Sequence, residues 1–294
     1  MVKWFKKNWV GYFFLSPWLI GLLVFTIIPI FVSLYLSFTD YNILTPPKFI
    51  GLGNYKAMFN DRAFKTSLIV TFKFVFIGVP LKLAFALFIA VLLNRKIGGL
   101  KIYRAVYYIP SLLGSSVAVS ILWRQIFNKE GLFNIVLSKF GIQGINWIAT
   151  PSTALYTIIL LNVWEFGSSM LIFLSALKQV PMELYESAMI DGASRRQRFF
   201  KITIPMITPM IFFNMIMQFI NAFQSFNSAY IISGGNGGPM DSTLLFSLYL
   251  YQKGFSFFKM GYASAMAWFL LGIIAIMTLI QFKLSNKWVY NQDE

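Results

Sequence analysis

The chain has 294 residues, of which 57% are hydrophobic and only 12% are charged. Because a soluble domain is about 45–50% apolar and about 25% charged, this composition indicates an integral membrane protein whose solvent is the bilayer. The sequence contains no cysteine and no histidine, which excludes disulfides, thiol nucleophiles, serine–histidine–aspartate triads and metal sites built from cysteine or histidine.

The net charge of +15 does not indicate a nucleic-acid partner. The bases cluster near the ends of apolar segments, where the positive-inside rule and attraction to anionic lipid account for them. The pattern G-x-x-x-x-G-K-[ST] is absent from the sequence, so the chain cannot hold nucleotide phosphates by a P-loop. We therefore expect no nucleic-acid partner, no metal site and no cofactor on this chain.

Six apolar segments are long enough to cross a membrane, since a spanning helix needs about 20 residues. We predict spans at about residues 10–38, 66–93, 105–127, 152–177, 206–232 and 260–282, within one domain that covers residues 1–294. Three lysines precede the first segment, but it is too long for a signal peptide and no small-residue cleavage site follows. We also expect Pro110 to break the third span early.

Six spans place both termini on the same side of the membrane. Of the 25 basic residues, fourteen then fall in inside segments and eight in outside segments. The inside loops are short and rich in basic residues. Because basic residues in short loops favour the cytoplasmic side, both termini are predicted to be cytoplasmic. One inside loop closes the second span with Arg95, Lys96 and Gly98. The outside segments are expected to hold a short surface helix within residues 128–151 and a surface or re-entrant helix at residues 242–253.

A charged stretch separates the fourth and fifth spans and is predicted to face the cytoplasm. It contains three acids and four bases, namely Glu183, Glu186, Asp191, Arg195, Arg196, Arg198 and Lys201. Glu183 and Glu186 suit the first turn of a helix, the pair Asp191–Gly192 indicates a turn, and Ser194 can cap a second helix. We expect that helix to turn Phe199 and Phe200 toward the membrane and to end near Pro205. By its physics alone, the stretch is better explained as an interfacial loop that only anchors two spans.

The pattern of this stretch resembles the EAA loop of ABC importer permeases. The matching residues are Glu186, Ser187, Ala188, Asp191, Gly192, Ala193, Phe199, Ile202, Pro205 and Pro209. Further blocks resemble the carbohydrate branch of that family, at Leu92–Arg95, Gly98–Gly99, Tyr103–Arg104, Ile109–Pro110, Trp164–Met170, Leu177–Pro181 and Gly237–Pro239. The residues Leu15–Pro17 and Ile28–Pro29 are similar to the first of the two permease subunits in such systems. The chain departs from the family pattern at Ser187 and Thr203.

The resemblance implies an all-α integral membrane fold, with the six transmembrane helices of a type I ABC importer permease and a cytoplasmic coupling helix in the loop at residues 181–205. It implies that this loop docks on a separate ATPase subunit through Glu186, Ser187, Ala188, Asp191, Gly192, Ala193, Arg195 and Phe199. The implied partners are a second, homologous permease subunit, two ATPase subunits that bind ATP and magnesium, and an extracytoplasmic solute-binding protein. The implied role is sugar transport across a bacterial cell membrane, without covalent catalysis by this chain.

Polar side chains within the spans indicate a path for the substrate, because such residues are costly in lipid and usually face a cavity or a partner. In the fifth span, amides recur every three or four residues and so form one stripe along a helix. Amides beside aromatic rings suit a sugar, whose hydroxyls take hydrogen bonds and whose ring faces stack; the alternative is that they join helices. The candidate path residues are Asn162, Trp164, Glu165, Gly167, Asn214, Gln218, Asn221, Gln224, Asn227, Tyr230 and Lys82.

Lys82 is the unusual member of this set, because it lies near the middle of the second span. It can pair with Glu165 or face the path, and the latter arrangement suits an acidic sugar or a sugar phosphate. Glycerol phosphate is an alternative substrate for the same machinery. Two further alternatives remain open at this point. One is an ion-driven secondary transporter in which Glu165 and Lys82 relay charge, and the other is a membrane protein with a role in assembly alone.

Overall fold

A computed structural model of the chain describes residues 2–95, 99–114 and 116–290, with side chains from residue 9 onward. Lys96 and Gly98 of the predicted inside loop lie outside the described residues. The described part is helical apart from one short strand pair. Its elements are α1 (Val2–Leu22), α2 (Ile28–Ser37), β1 (Thr39–Asp40), β2 (Lys48–Phe49), α3 (Gly53–Asn60), α4 (Arg62–Leu93), α5 (Leu100–Leu113), α6 (Val117–Ile126), α7 (Leu132–Ser138), α8 (Pro151–Trp164), α9 (Gly167–Gln179), α10 (Met182–Ile190), α11 (Arg195–Arg198), α12 (Ile204–Phe223), α13 (Asn227–Ser233), α14 (Phe246–Tyr251) and α15 (Met260–Ser285).

Four helical stretches of the described chain are long and apolar enough to cross a membrane, and the number rises to six if two bent pairs each count as one span. The four are Trp9–Ser37, Arg62–Leu93, Arg195–Phe223 and Met260–Ser285, and the pairs are α5 with α6 and α8 with α9. All six predicted segments therefore coincide with helical structure. Three differ from the prediction in where the helix breaks.

The break in the third segment lies beyond Pro110, not at it. Pro110 is inside α5, and its carbonyl oxygen accepts a hydrogen bond of 2.8 Å from the N–H of Gly114. A proline removes only its own N–H, so the turn that follows it closes normally. The helices α5 and α6 on either side of residues 114–116 differ in direction by 97°.

The fourth segment has a break that the sequence did not predict. Helix α8 ends at Trp164 and α9 begins at Gly167, with a bend of 43° between them. The two residues at the bend are Glu165 and Phe166. The fourth segment therefore consists of two helices and not of one continuous helix, and the side chain of Glu165 lies at the bend between them.

The fifth segment begins earlier and ends earlier than predicted. The second helix of the charged stretch does not end near Pro205 but continues through a π-helical turn, Phe199–Thr203, into α12. The N–H of Ile204 bonds to the carbonyl of Phe199, five residues back, so the helix remains closed although Pro205 provides no N–H. Helix α12 ends at Phe223, and α13 is a separate helix.

By backbone contacts the described chain forms two compact units, the first containing residues 2–61 and Leu250–Leu271. In this first unit the strands β1 and β2 pair antiparallel, with Thr39 opposite Phe49. The buried Asn54 amide donates to the carbonyls of Ser37 and Thr39 at 2.9 and 2.8 Å, which fixes α3 under the end of α2. Asn54 therefore satisfies the Ser37 carbonyl, which the end of α2 leaves free, and also the carbonyl of Thr39 in β1.

The second unit contains Arg62–Tyr249 and residues 272–290, and α4 is its central helix. Helices α8, α9 and α12 pack against α4. The apolar core lies between them and contains Ala86, Ile89, Ala90, Leu93, Phe166, Met170, Phe173, Leu174, Ala176, Leu177 and Ile207. The ring of Phe166, at the bend between α8 and α9, meets that of Phe85 edge-on at 4.7 Å. The bend is therefore packed into the core.

The predicted short helices in the polar segments are present. Helix α7 lies within residues 128–151, where the Trp147 indole donates to the Asn134 side chain at 2.7 Å. The residues 242–253 contain α14, whose first residue, Phe246, is fully buried and donates its N–H to Thr71 at 2.7 Å. The start of α14 is therefore inserted against α4, as in a re-entrant segment and not a surface helix.

Candidate functional site

The charged loop, residues 181–205, begins with α10 and a glycine-dependent turn. The N–H of Ala193 bonds to the Ala188 carbonyl at 2.8 Å, and the N–H of Gly192 bonds to the Met189 carbonyl at 3.1 Å. This pair of bonds is the Schellman motif, which requires a left-handed residue at the helix end. Gly192 has φ +77°, so the turn depends on glycine. The predicted turn at Asp191–Gly192 lies at this point.

The second helix of the loop begins at Ser194, as the sequence indicates. The Ser194 hydroxyl accepts from the Gln197 N–H at 3.3 Å, and the Gln197 side chain accepts from the Ser194 N–H at 2.7 Å. These reciprocal bonds form a capping box, which satisfies two backbone donors that the start of a helix leaves free. Both ends of the turn are therefore closed by local hydrogen bonds.

The turn projects from the spans with most of its proposed contact residues exposed. Glu186, Ser187, Asp191, Gly192 and Arg195 are exposed, whereas Ala188, Ala193 and Phe199 are half-buried. Glu183 occupies the first turn of α10, but Glu186 lies further along the helix.

Helix α10 of the loop contacts the helix of the fifth span through a hydrogen bond: the Tyr185 hydroxyl lies 2.7 Å from the Thr203 hydroxyl. The ring of Phe199 packs edge-on against the exposed ring of Phe200 at 5.1 Å.

A polar cavity of about 390 Å³ lies beside the bend between α8 and α9. It is lined by the ends of three helical segments, through Gly114, Leu161, Asn162, Glu165, Gln224, Ser225, Phe226, Asn227 and Ser228. Four of the candidate path residues, Asn162, Glu165, Gln224 and Asn227, are therefore brought together. The cavity combines one carboxylate with amides and hydroxyls, a set that can accept and donate hydrogen bonds to a polar solute.

The other candidate path residues lie elsewhere. Asn214 and Gln218 are buried, Asn221 is exposed, and Gln224 is the cap residue at the end of α12. The amide stripe thus passes from the packed interior to the cavity and does not line one surface.

Neither of the two aromatic candidates is among the residues that line the cavity, and each packs on a neighbouring ring. The Trp164 ring packs on Trp123 with centroids 5.8 Å apart, and that of Tyr230 packs on Phe226 at 5.3 Å.

Ser111 joins the two sides of the bend, and sequence reasoning missed it. Its hydroxyl donates to the Glu165 carbonyl at 3.1 Å and accepts from the Ser168 N–H at 2.8 Å. A Cβ on Gly167 would collide with the Tyr107 carbonyl and lie 2.8 Å from Ser111 Oγ, so glycine lets α5 approach the bend closely. Gly167 was a candidate from the sequence, but its role in the structure is this close approach.

Lys82 is not among the residues that line the cavity. It is only 5% exposed, and its ammonium group interacts electrostatically with the Glu165 carboxylate. No direct ion pair joins these two groups within the described part of the chain. Two glycines lie close to cavity-lining side chains. A Cβ on Gly114 would collide with the Glu165 side chain, whereas a Cβ on Gly78 would lie at an ordinary distance of 3.6 Å from the Asn162 side-chain oxygen.

Over residues 50–289 the chain matches the family model described as "Binding-protein-dependent transport system inner membrane component". It is 56% identical over 291 residues to the "Probable ABC transporter permease protein YesP" of Bacillus subtilis (strain 168), covering 98% of this chain and 94% of the relative. It is 31% identical over 286 residues to the "Trehalose/maltose transport system permease protein MalF" of Thermococcus litoralis, covering 96% of this chain and 95% of that relative.

Similarity to a solved structure shows the fold. A chain of the "Crystal structure of bacterial alginate ABC transporter in complex with alginate pentasaccharide-bound periplasmic protein" superposes with a TM-score of 0.82 at 21% identity, covering 97% of this chain and 96% of that one. The helical architecture is thus that of a type I ABC importer permease, a multi-pass membrane protein and a transport component rather than an enzyme. The chain belongs to the family of binding-protein-dependent transport system inner membrane components, which are the permease subunits of ABC transporters.

Proposed function

We propose that this chain is one of two permease subunits in an ABC importer for a sugar or oligosaccharide, and that its charged loop transmits motion from a separate ATPase. The relative named for trehalose and maltose transport supports a sugar substrate. The polar cavity supports it as well, because its amides, hydroxyls and carboxylate suit a solute rich in hydroxyl groups. Family membership favours this ATP-driven function over an ion-driven secondary transporter or a role in assembly alone.

One observation carries the coupling proposal: the helix that starts in the charged loop runs to the edge of the cavity. It extends from Arg195 to Phe223, and the residues that follow, Gln224–Ser228, line the cavity. A helix resists bending far more than a loop does, so a displacement at Arg195 is transmitted to Gln224. The ATPase would contact the exposed face of α10 and the turn at Gly192.

The proposed assembly contains a second, homologous permease, two ATPase subunits that bind ATP and magnesium, and an extracytoplasmic solute-binding protein. Both termini and the charged loop face the cytoplasm in this arrangement, as the distribution of basic residues indicates. Affinity purification of the tagged chain from native membranes tests it. A P-loop ATPase is expected to co-purify, and its absence would contradict the proposal.

A matched pair of glycine variants tests the role of the cavity in transport. The variant Gly114→Ala forces the Glu165 side chain to move, because the added Cβ would collide with it. The variant Gly78→Ala adds the same group where it meets only an ordinary contact at 3.6 Å. We expect ATP-driven sugar uptake in proteoliposomes to fall at least fivefold for Gly114→Ala and less than twofold for Gly78→Ala. Equal uptake by both variants would place the substrate elsewhere.

A second candidate substrate class is an acidic sugar, and buried Lys82 favours it. The positive charge of Lys82 would stabilise a negatively charged group of the solute in the cavity, although the negative charge of Glu165 on the cavity wall opposes this stabilisation. Competition of the two solute classes in uptake assays distinguishes them. If the substrate is acidic, Lys82→Met lowers uptake of the acidic sugar more than uptake of its neutral analogue.

A further inference from the structure

An apolar groove lies between the end of α4 and the start of α5, away from the cavity. Its volume is about 220 Å³, and it is lined by Ile89, Leu92 and Leu93 from α4 and by Tyr103 and Tyr107 from α5. The aliphatic and aromatic walls suit a hydrocarbon chain. Bases stand at the same end of the two helices, where Arg95 and Lys101 are exposed.

Arg104 lies on the inward face of α5 beside this groove. Leu100, Arg104 and Tyr107 are spaced by four and three residues and so share one helix face, and Leu100 and Tyr107 pack against the apolar core. The Nε and Nη2 atoms of Arg104 are buried and make no hydrogen bond to the described residues. A guanidinium group is always charged in proteins, and Arg104 as a whole is half-buried. An anion that reaches its two buried nitrogen atoms would therefore satisfy donors that no described residue satisfies.

The surrounding helices provide no such anion. The three helices packed together here, α4, α5 and α9, contain no aspartate and no glutamate. From residue 62 to residue 129 the sequence has ten lysines and arginines and no acid. The counterion of Arg104 must therefore come from outside this group of helices.

We propose that an anionic phospholipid binds here, with its phosphate on the Arg104 guanidinium and part of an acyl chain in the groove between α4 and α5. A guanidinium matches the geometry of a phosphate with two parallel hydrogen bonds. The exposed Arg95 and Lys101 add attraction for the negatively charged surface of the cytoplasmic leaflet. The leaflet is assigned from the proposed topology, but the site itself does not depend on which sugar is transported.

Native mass spectrometry of the purified, assembled transporter tests this site. The complex is exchanged into mixed micelles that contain equal amounts of phosphatidylglycerol and phosphatidylcholine, and retained lipids are counted per complex. Wild type is expected to retain at least fivefold more phosphatidylglycerol than phosphatidylcholine. Arg104→Gln is expected to remove this preference. Lys101→Gln, which loses the same charge at an exposed position, should keep more than half of it.

Two results would overturn the proposal. One is equal retention of both lipids by wild type, as expected if an acidic segment of a partner subunit pairs with Arg104 instead. The other is an unchanged preference in Arg104→Gln. If that variant does not assemble, phosphatidylglycerol with a photoreactive acyl chain decides the question on wild type. Cross-links are expected on the peptide that contains Tyr103 and Tyr107, and cross-links confined to other peptides would contradict the site.

Discussion

The hydroxyl groups of Tyr185 and Thr203 lie 2.7 Å apart, and this contact joins the short helix of the charged loop to the fifth span. Thr203 is buried, and its hydroxyl provides a hydrogen bond that an apolar side chain at this position could not form. It fixes α10 to the helix that leads to the cavity.

Loss of this contact should uncouple the loop from the span. Tyr185→Phe removes one hydrogen bond, which contributes about 1 kcal/mol, without removing the ring. We expect less sugar transported per ATP hydrolysed by the assembled transporter in proteoliposomes, with the complex intact. Tyr156→Phe, at an exposed tyrosine, is the control and should transport as wild type does. An unchanged ratio in Tyr185→Phe would show that the contact does not transmit motion.

The turn at Gly192 should be sensitive to backbone conformation and not to side-chain size. A Cβ on Gly192 would meet no atom within 4 Å, so the cost of Gly192→Ala comes from the left-handed conformation, about 1–2 kcal/mol. Gly192→Pro is more severe, because it also removes the N–H that bonds to Met189.

We expect ATP-driven uptake to fall in the order wild type, Gly192→Ala, Gly192→Pro. The control is Gly272→Ala, where a Cβ also has open space but φ is ordinary. Uptake by Gly192→Pro at the level of this control would refute a role of the turn in coupling.

Ser111 should stabilise the bend between α8 and α9. Ser111→Ala leaves the Ser168 N–H and the Glu165 carbonyl without their partner, and each buried polar group left unsatisfied costs about 1–3 kcal/mol. We expect a lower thermal unfolding temperature of the purified complex. Ser175→Ala, which removes an exposed hydroxyl bonded only within its own helix, should change that temperature little. Similar temperatures for the two variants would mean that water replaces the Ser111 hydroxyl.

Lys82 and Glu165 should be energetically coupled although no direct ion pair joins them. Lys82 is buried and Glu165 is half-buried, so removal of either charge leaves the other poorly solvated and without compensation. The double variant Lys82→Met/Glu165→Gln should therefore be less destabilised than the sum of the single variants, by about 0.5–3 kcal/mol. A double-mutant cycle on complex stability measures this energy. Additive effects would show that the two groups act independently.

The elements that the sequence predicts well are those encoded locally. The six apolar segments follow from length and hydropathy, and the Ser194 cap and the Gly192 turn follow from residues that are neighbours in sequence. The bend at Glu165 could not be predicted in this way, because Ser111, whose hydroxyl bonds to the Glu165 carbonyl, is 54 residues away in the sequence. Pro205 indicates a helix end in the sequence, but the helix continues through it. Pro205 cannot donate a backbone hydrogen bond, and a π-helical turn that has no clear sequence signal accommodates this loss.

The π-helical turn Phe199–Thr203 also sets how the charged loop is rotated about the axis of the fifth span. A π-helical turn holds about one residue more than an α-helical one, and one residue corresponds to about 100° of rotation about a helix axis. Because the wide turn takes up this extra residue, the arginine-bearing face of the loop keeps its direction relative to the span. Regular α-helical winding of the same residues would turn that face by about 100°. The winding of this segment, and not only its sequence, therefore determines which side of the helix would meet the proposed ATPase.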